Sequence, residues 1–177
     1  MLAEIAAAGG AAGLGMIAEN RALWIRLGDE AGRELAMFPF VIVDAQFANA
    51  SWWRRASAPG VRETAPTRTE NGLTNNLSVE LMHEVSMFAW QMARWDRMAA
   101  QMSLGMTSSV ADTIAALTPQ QLRTIASTMA DAIEVRWGND VSFWCELLDA
   151  ATSRDMKRLT ALQLHAKLRL CSELVQV

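Results

Sequence analysis

Few residues of this chain have the types and spacings that catalysis or metal binding requires. The GxGxxA pattern of a dinucleotide-binding turn occurs as GLGMIA at residues 13–18, but no predicted strand precedes it and no βαβ unit follows. His83 and His165 are the only histidines, and neither has a cysteine or aspartate at ligand or triad spacing. We therefore predict that the chain is not an enzyme and has no catalytic residue, metal site or cofactor.

Arginine and lysine side chains leave one further possibility, which is binding to the phosphates of nucleic acid. The net charge is −3 and the pI is about 5.4, so DNA contact would need a local patch or a basic partner. Between residues 154 and 169, basic side chains outnumber the single acid, Asp155. The DNA-binding candidates are Arg123, Arg136, Arg154, Lys157, Arg158, Lys167 and Arg169. The alternative for the cluster at 154–169 is a solvated helix face.

Three helix boundaries can be predicted between Trp95 and Ala126. Leu104-Gly105 ends one helix, because glycine takes the left-handed conformation common just after a helix. The hydroxyls at residues 107–109 begin a second helix, which places Val110, Ile114 and Leu117 on one face. Residues 118–121, TPQQ, form a capping box with proline at the first position of a third helix, which runs from about Pro119 to about Ala130. Its inward residues are Leu122, Ile125, Ala126 and Met129.

The chain after this third helix contains one strand and two more helices. Residues 132–137 alternate as a β-strand does, and their partner is either the strand-like segment 41–47 or the same strand of another subunit. Asp140 is the predicted N-cap of a helix, and Ser153 that of the last helix. The apolar sides of these two helices are Val141, Trp144, Leu147 and Leu148, then Met156, Leu159, Leu162, Ala166 and Leu170. The predicted fold class is mainly α, with one or two short strands.

The composition divides the chain into two parts. Residues 56–77 are rich in Pro, Gly, Thr and Asn, which predicts a linker between an N-terminal segment, 1–55, and a helical domain, 78–177. The first part resembles a shortened repeat of the second: residues 41–47 echo 133–137, and Ser-Trp-Trp at 51–53 matches Ser-Phe-Trp at 142–144. The alternative is that helix–strand patterns recur by chance.

A long central helix before Gly105 carries a seam of apolar residues that alternates spacings of four and three, as in a coiled coil. The seam consists of Leu81, Val85, Phe88, Met92, Trp95, Ala99 and Met102. We predict that it contacts another chain, because a helix of about 25 residues is hard to cover within so small a domain. An ordinary core helix is the alternative.

The sequence predicts a cytoplasmic protein without a membrane anchor. The first charge is Glu4 and the first basic residue is Arg21, whereas a signal peptide begins with positive charge. No window approaches the roughly 18–20 uninterrupted apolar residues of a spanning helix. Cys145 and Cys171 lie in no CxxC or Cys/His ligand pattern, which fits a reducing compartment.

Residues 95–126 resemble the flagellar transcriptional regulator family FlhD. The matching residues are Asp96, Ala100, Leu104-Gly105, Ala111, Ala115-Ala116-Leu117-Thr118, Gln121 and Ala126, all in one ungapped register. Val135-Arg136-Trp137 is similar to the family's aromatic-Arg-aromatic strand, so the resemblance extends over about 78–177. Typical members have nothing like residues 1–77, and the intersubunit cysteine of some members falls here near Ile133.

The resemblance implies a multi-helix protein that forms a homodimer or higher oligomer and joins a zinc-containing partner, FlhC. The complex of that family binds promoter DNA and recruits RNA polymerase to flagellar genes, so the expected function is transcriptional activation of motility genes. A second hypothesis is an interaction protein that does not bind DNA and instead docks on, or antagonises, an FlhC-like partner.

Overall fold

A computed structural model of the chain describes residues 24–25, 27–37, 41–58 and 72–175. Its elements, in order, are α1 (Asp29–Ala36), β1 (Val43–Asp44), α2 (Ala50–Ala56), α3 (Gly72–Trp95), α4 (Arg97–Leu104), α5 (Ser108–Ala116), α6 (Pro119–Met129), a 3-10 turn (Ala130–Ala132), β2 (Glu134–Val135), α7 (Val141–Ser153) and α8 (Met156–Val175). The mainly α fold with short strands is as predicted. The GLGMIA motif at 13–18 lies outside the described residues.

The three helix boundaries around α4, α5 and α6 are confirmed. Gly105 ends α4 in the left-handed conformation, at φ 64°. The Thr107 hydroxyl accepts a hydrogen bond from the backbone N–H of Val110 and so caps α5. At α6 the Thr118 hydroxyl accepts from the Gln121 N–H, and the Gln121 side chain accepts from the Thr118 N–H, which completes the capping box.

The two strands form an antiparallel ribbon in which Val43 pairs with Val135 and Asp44 with Glu134. The partner of β2 is thus the strand-like segment of the same chain, one of the two alternatives that the sequence left open. Both strands are shorter than predicted. β2 is limited by the 3-10 turn before it and by a turn at 136–139 after it.

One hydrophobic core joins the described N-terminal residues to the helices that follow. The long helix α3 packs against α4, α5 and α6, while α7 packs against α8 and α1. Trp24 contacts Trp144 with ring centroids 5.8 Å apart, and Phe47 stacks on Trp53 at 6.3 Å. The largest fully buried side chains are Trp24, Trp53, Trp144, Phe47, Met82, Leu104, Met106, Ile114 and Leu122.

Several predictions at helix ends are wrong. Ser153 is the last residue of α7 and does not cap α8; the Asp155 carboxylate accepts from the Arg158 N–H at 3.1 Å instead. The reason is that Arg154 takes a left-handed conformation, φ 57°, which ends α7 and delays α8 by two residues. Val141 and Met156, predicted to face inward, are 41% and 51% exposed because both lie in first turns.

The predicted central helix is interrupted. Asp96 is extended, at φ −146° and ψ 96°, and its carboxylate accepts from the Ala99 N–H, so it starts α4 as an N-cap and α3 ends at Trp95. At its other end α3 begins at Gly72, within the segment predicted as a linker. Most of that segment, 59–71, lies outside the described residues.

Candidate interaction surface

An exposed apolar strip crosses the break between α3 and α4. Trp95 is 98% exposed, Met98 66%, Phe88 45% and Met102 43%. We call these four residues the α3–α4 strip. Large apolar side chains are seldom left exposed together in a monomeric protein, and where they are, they indicate a protein interaction site. The strip is therefore the best candidate for contact with another protein.

The rest of the predicted seam does not lie in this strip. Leu81 and Val85 are buried in the core, at 7% and 8% exposure, and Met92 and Ala99 are half-buried. The heptad spacing assumed one continuous helix, but α3 ends at Trp95 and Asp96 begins α4. Within α3 the fully buried positions include Met82, Ser86 and Ala89, so Leu81 and Val85 lie beside the core face and Phe88 lies outside it. Met98 joins the exposed residues although it is not in the predicted seam.

Two aromatic contacts hold the end of α3 in place beside the strip. The Trp90 indole N–H donates to the Leu117 carbonyl at 2.7 Å, which ties α3 to the end of α5. The Arg94 guanidinium lies 4.7 Å from the centre of the Trp90 ring, within cation–π range. Trp90 is thus engaged inside the fold, whereas Trp95, five residues later, is almost fully exposed to solvent.

A second pair of exposed apolar residues, Leu164 and Leu168, lies on α8 at 60% and 63% exposure. They occupy the face of the helix opposite Leu162, Ala166 and Leu170, which are buried. Sequence reasoning assigned only the inward side of this helix and missed the pair. Their spacing of four residues, out of phase with the inward set, was the available signal.

Most candidate DNA-binding arginines are engaged by acids of the same chain. Arg154 forms an ion pair with Glu30 of α1. Arg158 lies 2.9 Å from the Asp149 carboxylate, and Arg169 lies 2.8 Å from that of Asp140. The local positive excess between 154 and 169 is therefore largely balanced in space by acids from α1, α7 and the turn before α7.

Arg136 is not available to DNA, because it is only 6% exposed. Its guanidinium donates to the carbonyls of Val41, Val43 and Leu104 at 3.1, 3.4 and 2.8 Å, and lies 3.6 Å from Asp44. Burial lowers its pKa, while the nearby Asp44 carboxylate acts in the opposite direction. Arg136 is a structural residue that joins the ribbon to the end of α4.

Arg123, Lys157 and Lys167 are the DNA candidates that stay exposed, and none of them forms an ion pair with another described residue. Arg123 lies on α6, whereas both lysines lie on α8.

Across the described ranges, no three His, Cys, Asp or Glu side chains come together as a metal site. In the same ranges no helix is long and apolar enough to cross a membrane.

Residues 86–173 match the family model described as flagellar transcriptional activator (FlhD). Over this segment the chain is FlhD-like. The match confirms the resemblance and lies within the predicted span. FlhD is a family of transcriptional activators and not of enzymes. No curated protein and no solved structure matches the chain. The whole α3–α4 strip falls inside the FlhD segment.

Proposed function

We propose that this protein is an FlhD-like subunit of a transcriptional regulator, which self-associates and acts with an FlhC-like partner on promoter DNA of motility genes. One observation carries the proposal: the FlhD segment, 86–173, contains the exposed α3–α4 strip. RNA polymerase is the expected target of the assembled complex. The function of this chain is therefore assembly, without chemistry of its own.

The α3–α4 strip supports a protein partner because its exposure is costly. Burying apolar surface contributes about 25 cal/mol per Å², and Trp95 alone offers one of the largest apolar surfaces of any residue type. Tryptophan and methionine are also enriched in the centres of protein interfaces. A partner that covers Trp95 and Met98 together would bury the strip from both sides of the helix break.

The basic residues support DNA contact through a complex and not by this chain alone. The chain carries a net charge of −3, and four of the five candidate arginines already have acidic partners. Arg123, Lys157 and Lys167 remain to contact phosphates beside a more basic partner. We therefore expect weak DNA binding by the isolated chain.

Fluorescence anisotropy with labelled promoter DNA tests this function directly. The chain, an FlhC-type protein and their mixture are titrated separately at two or more salt concentrations. We expect tight binding only for the mixture, with an affinity that falls as salt rises because counterions are released from the phosphates. Equal binding with and without this chain would contradict the proposal.

Charged substitutions in the strip test the partner surface. Phe88→Asp combined with Trp95→Asp should weaken association at least tenfold, because both aromatic contacts are lost and charge is placed in an apolar interface. Sedimentation velocity and pull-down with the FlhC-type protein measure the effect. Val141→Asp, on an exposed residue outside the strip, is the matched control and should leave association unchanged. Native association of the double variant would show that the strip is not the interface.

The neutralised arginines also favour a second function, an interaction protein that docks on an FlhC-like partner and prevents DNA binding. Arg154, Arg158 and Arg169 cannot contact phosphates without breaking ion pairs within the chain. The same anisotropy experiment distinguishes the two functions. An activator subunit raises the affinity of the partner for promoter DNA, whereas an antagonist lowers it.

A further inference from the structure

Two strand–turn–helix segments of this chain have the same construction. We call residues 43–56 module 1, which contains β1 and α2, and residues 134–147 module 2, which contains β2 and the first half of α7. One constant offset aligns the two modules residue by residue, without a gap. The equivalent positions agree in backbone conformation, helix capping and tryptophan contacts.

The turns that follow the two strands are alike. Gln46 and Trp137 are equivalent, and both have a left-handed backbone, at φ 60° and 54°. Within the described ranges only Arg154 is a further non-glycine residue with positive φ. The carbonyl of Gln46 accepts from the Asn49 N–H at 2.9 Å, and that of Trp137 accepts from the Asp140 N–H at 2.8 Å. Left-handed conformations are uncommon for such residues, so their coincidence is informative.

The two helices are capped in the same way. The Asn49 side chain accepts from the Trp52 N–H at 3.0 Å and from the Ser51 hydroxyl at 2.8 Å. In module 2, one carboxylate oxygen of Asp140 caps α7 and accepts from the equivalent two donors. It accepts from the Phe143 N–H at 3.2 Å and from the Ser142 hydroxyl at 2.9 Å.

A buried tryptophan closes each module. The Trp53 indole N–H donates to the Ala45 carbonyl at 3.1 Å, and the Trp144 indole N–H donates to the Arg136 carbonyl at 3.0 Å. Both bonds therefore run from the helix back to the residue just after the strand. Each tryptophan also meets the aromatic residue before it edge-on, with centroids 5.1 and 5.8 Å apart.

The ribbon relates the modules by a local two-fold axis. Val43 pairs with Val135, and their equivalents in the other module, Glu134 and Asp44, form the other ladder pair. Exchanging the modules thus leaves the register unchanged. This is the arrangement of an isologous dimer, in which the same surface of two subunits meets itself.

We infer that module 1 is an internal copy of module 2 and that it occupies the position of a second subunit's module in a two-fold dimer. A single chain thus completes the ribbon without a second copy. The duplication covers the modules and does not include the Leu-Gly pairs before them, because Gly105 is left-handed while Gly28 is extended, at φ −67°. The ribbon shares no residue with the α3–α4 strip, whose four residues are exposed.

Disulfide trapping tests whether the ribbon forms within one chain. In the full chain with Cys145→Ser and Cys171→Ser, Val43→Cys and Val135→Cys place thiols at directly opposite positions of the ribbon. Mild oxidation should give a monomer of faster mobility on non-reducing gels. Mixing the two single-cysteine chains, each with a different tag, should give no mixed covalent dimer. Covalent dimers as the main product in either experiment would overturn the inference.

Matched tryptophan variants test whether the modules are equivalent even if the cysteine pair folds poorly. Trp53→Phe and Trp144→Phe each remove one indole donor and leave the Ala45 or Arg136 carbonyl unpaired. We expect both to lower the melting temperature by similar amounts, about 2–8 °C. Met37→Leu, at a residue that is 76% exposed and lies outside the α3–α4 strip, is the control and should not shift it. A Trp53→Phe variant that melts like the control would contradict a folded module 1.

Discussion

At the residue scale, Gly105 and Arg136 meet where α4 ends against the ribbon and α8. A Cβ atom on Gly105 would lie 2.5 Å from Cδ1 of Leu170 and 3.0 Å from Nη1 of Arg136. The left-handed backbone and the absence of space both require glycine there. The FlhD-like Leu104-Gly105 pair thus ends a helix and also makes room for a buried guanidinium.

Gly105→Ala should lower the free energy of unfolding by about 1–3 kcal/mol, because the new methyl group clashes and the left-handed conformation becomes strained. Urea unfolding followed by circular dichroism measures this loss. Gly32→Ala is the matched control: it lies within α1 with nothing near its Cβ position and should raise stability by about 0.5–1 kcal/mol. A Gly105→Ala variant as stable as wild type would show that α8 moves aside at no cost.

Asp140 makes part of the stability depend on pH. The Phe143 N–H first, then the Ser142 hydroxyl and Arg169, lower the pKa of this carboxyl. A lowered pKa in the folded state means that the ionised form stabilises the fold above about pH 4, the ordinary range of aspartate, and that this contribution is lost as the pH falls through the lowered pKa.

Asp140→Asn should therefore be less stable than wild type at pH 7 and equally stable at low pH. The carboxylate is a third exposed, so solvent screening keeps the difference small, about 0.5–1 kcal/mol. Urea titrations between pH 7 and pH 3 measure the gap. Asn49→Ala, which removes the uncharged cap of module 1, should lose stability by the same amount at every pH. A gap for Asp140→Asn that stays constant would contradict this account.

Single residues were predictable where the cause of their conformation is local. The caps Thr107, Thr118 and Asp140 depend on hydrogen bonds three residues away; Thr118 and Asp140 were predicted, and Thr107 is one of the three hydroxyls predicted at 107–109. Arg136 was misassigned as a DNA contact because its burial depends on carbonyls of Val41, Val43 and Leu104, which are distant in sequence. No local pattern indicates that these carbonyls meet.

At the element scale, the break at Asp96 divides the predicted central helix into α3 and α4. A heptad pattern gives the same prediction for a continuous helix and for two helices joined by a capping residue, since both keep apolar residues three or four apart. Leu81 and Val85, at the start of the seam, are buried, whereas Phe88, Trp95 and Met102 are exposed in the α3–α4 strip and Met92 and Ala99 are half-buried. The overlooked signal was Asp96 itself, because aspartate is a common helix N-cap and its carboxylate accepts from the Ala99 N–H.

The capping box of α6 gives a prediction for one element. Thr118→Ala should lower the free energy of unfolding by about 1 kcal/mol, because the Gln121 N–H loses its acceptor and the first turn frays. Thr113→Ala, on an exposed hydroxyl inside α5 that bonds only to the Ser109 carbonyl, is the control and should be neutral or slightly stabilising. Chemical unfolding of both variants measures the difference; equal stabilities would show that the cap contributes nothing.

At the scale of the whole molecule, the described N-terminal residues and the FlhD segment share one core. The composition of the sequence predicted two parts divided by a linker. It left two possible partners for β2, because an alternating pattern predicts a strand but not the strand with which it pairs. The ribbon, together with contacts such as the hydrogen bond from the Thr107 N–H to the Phe47 carbonyl, joins the two parts. The fold class and most helices were predictable, while this long-range packing was not.

Phe47→Ala tests whether the two parts unfold together. Phe47 is fully buried against Trp53, so its truncation should lower the free energy of unfolding by about 3–5 kcal/mol. Tryptophan fluorescence and far-ultraviolet circular dichroism should still give one coincident transition, at lower urea. If the circular dichroism transition kept its wild-type midpoint, the helices would be independent of the N-terminal residues.

The exposure of Trp95 gives the protein an intrinsic optical probe. All seven tryptophans lie among the described residues, and Trp95 alone is nearly fully open to solvent. The long-wavelength part of the tryptophan emission, and the part that acrylamide quenches by collision, should therefore come chiefly from this one indole. A partner that covers it would shift the emission to the blue and shield it from quencher, so that complex formation could be followed without attaching a dye.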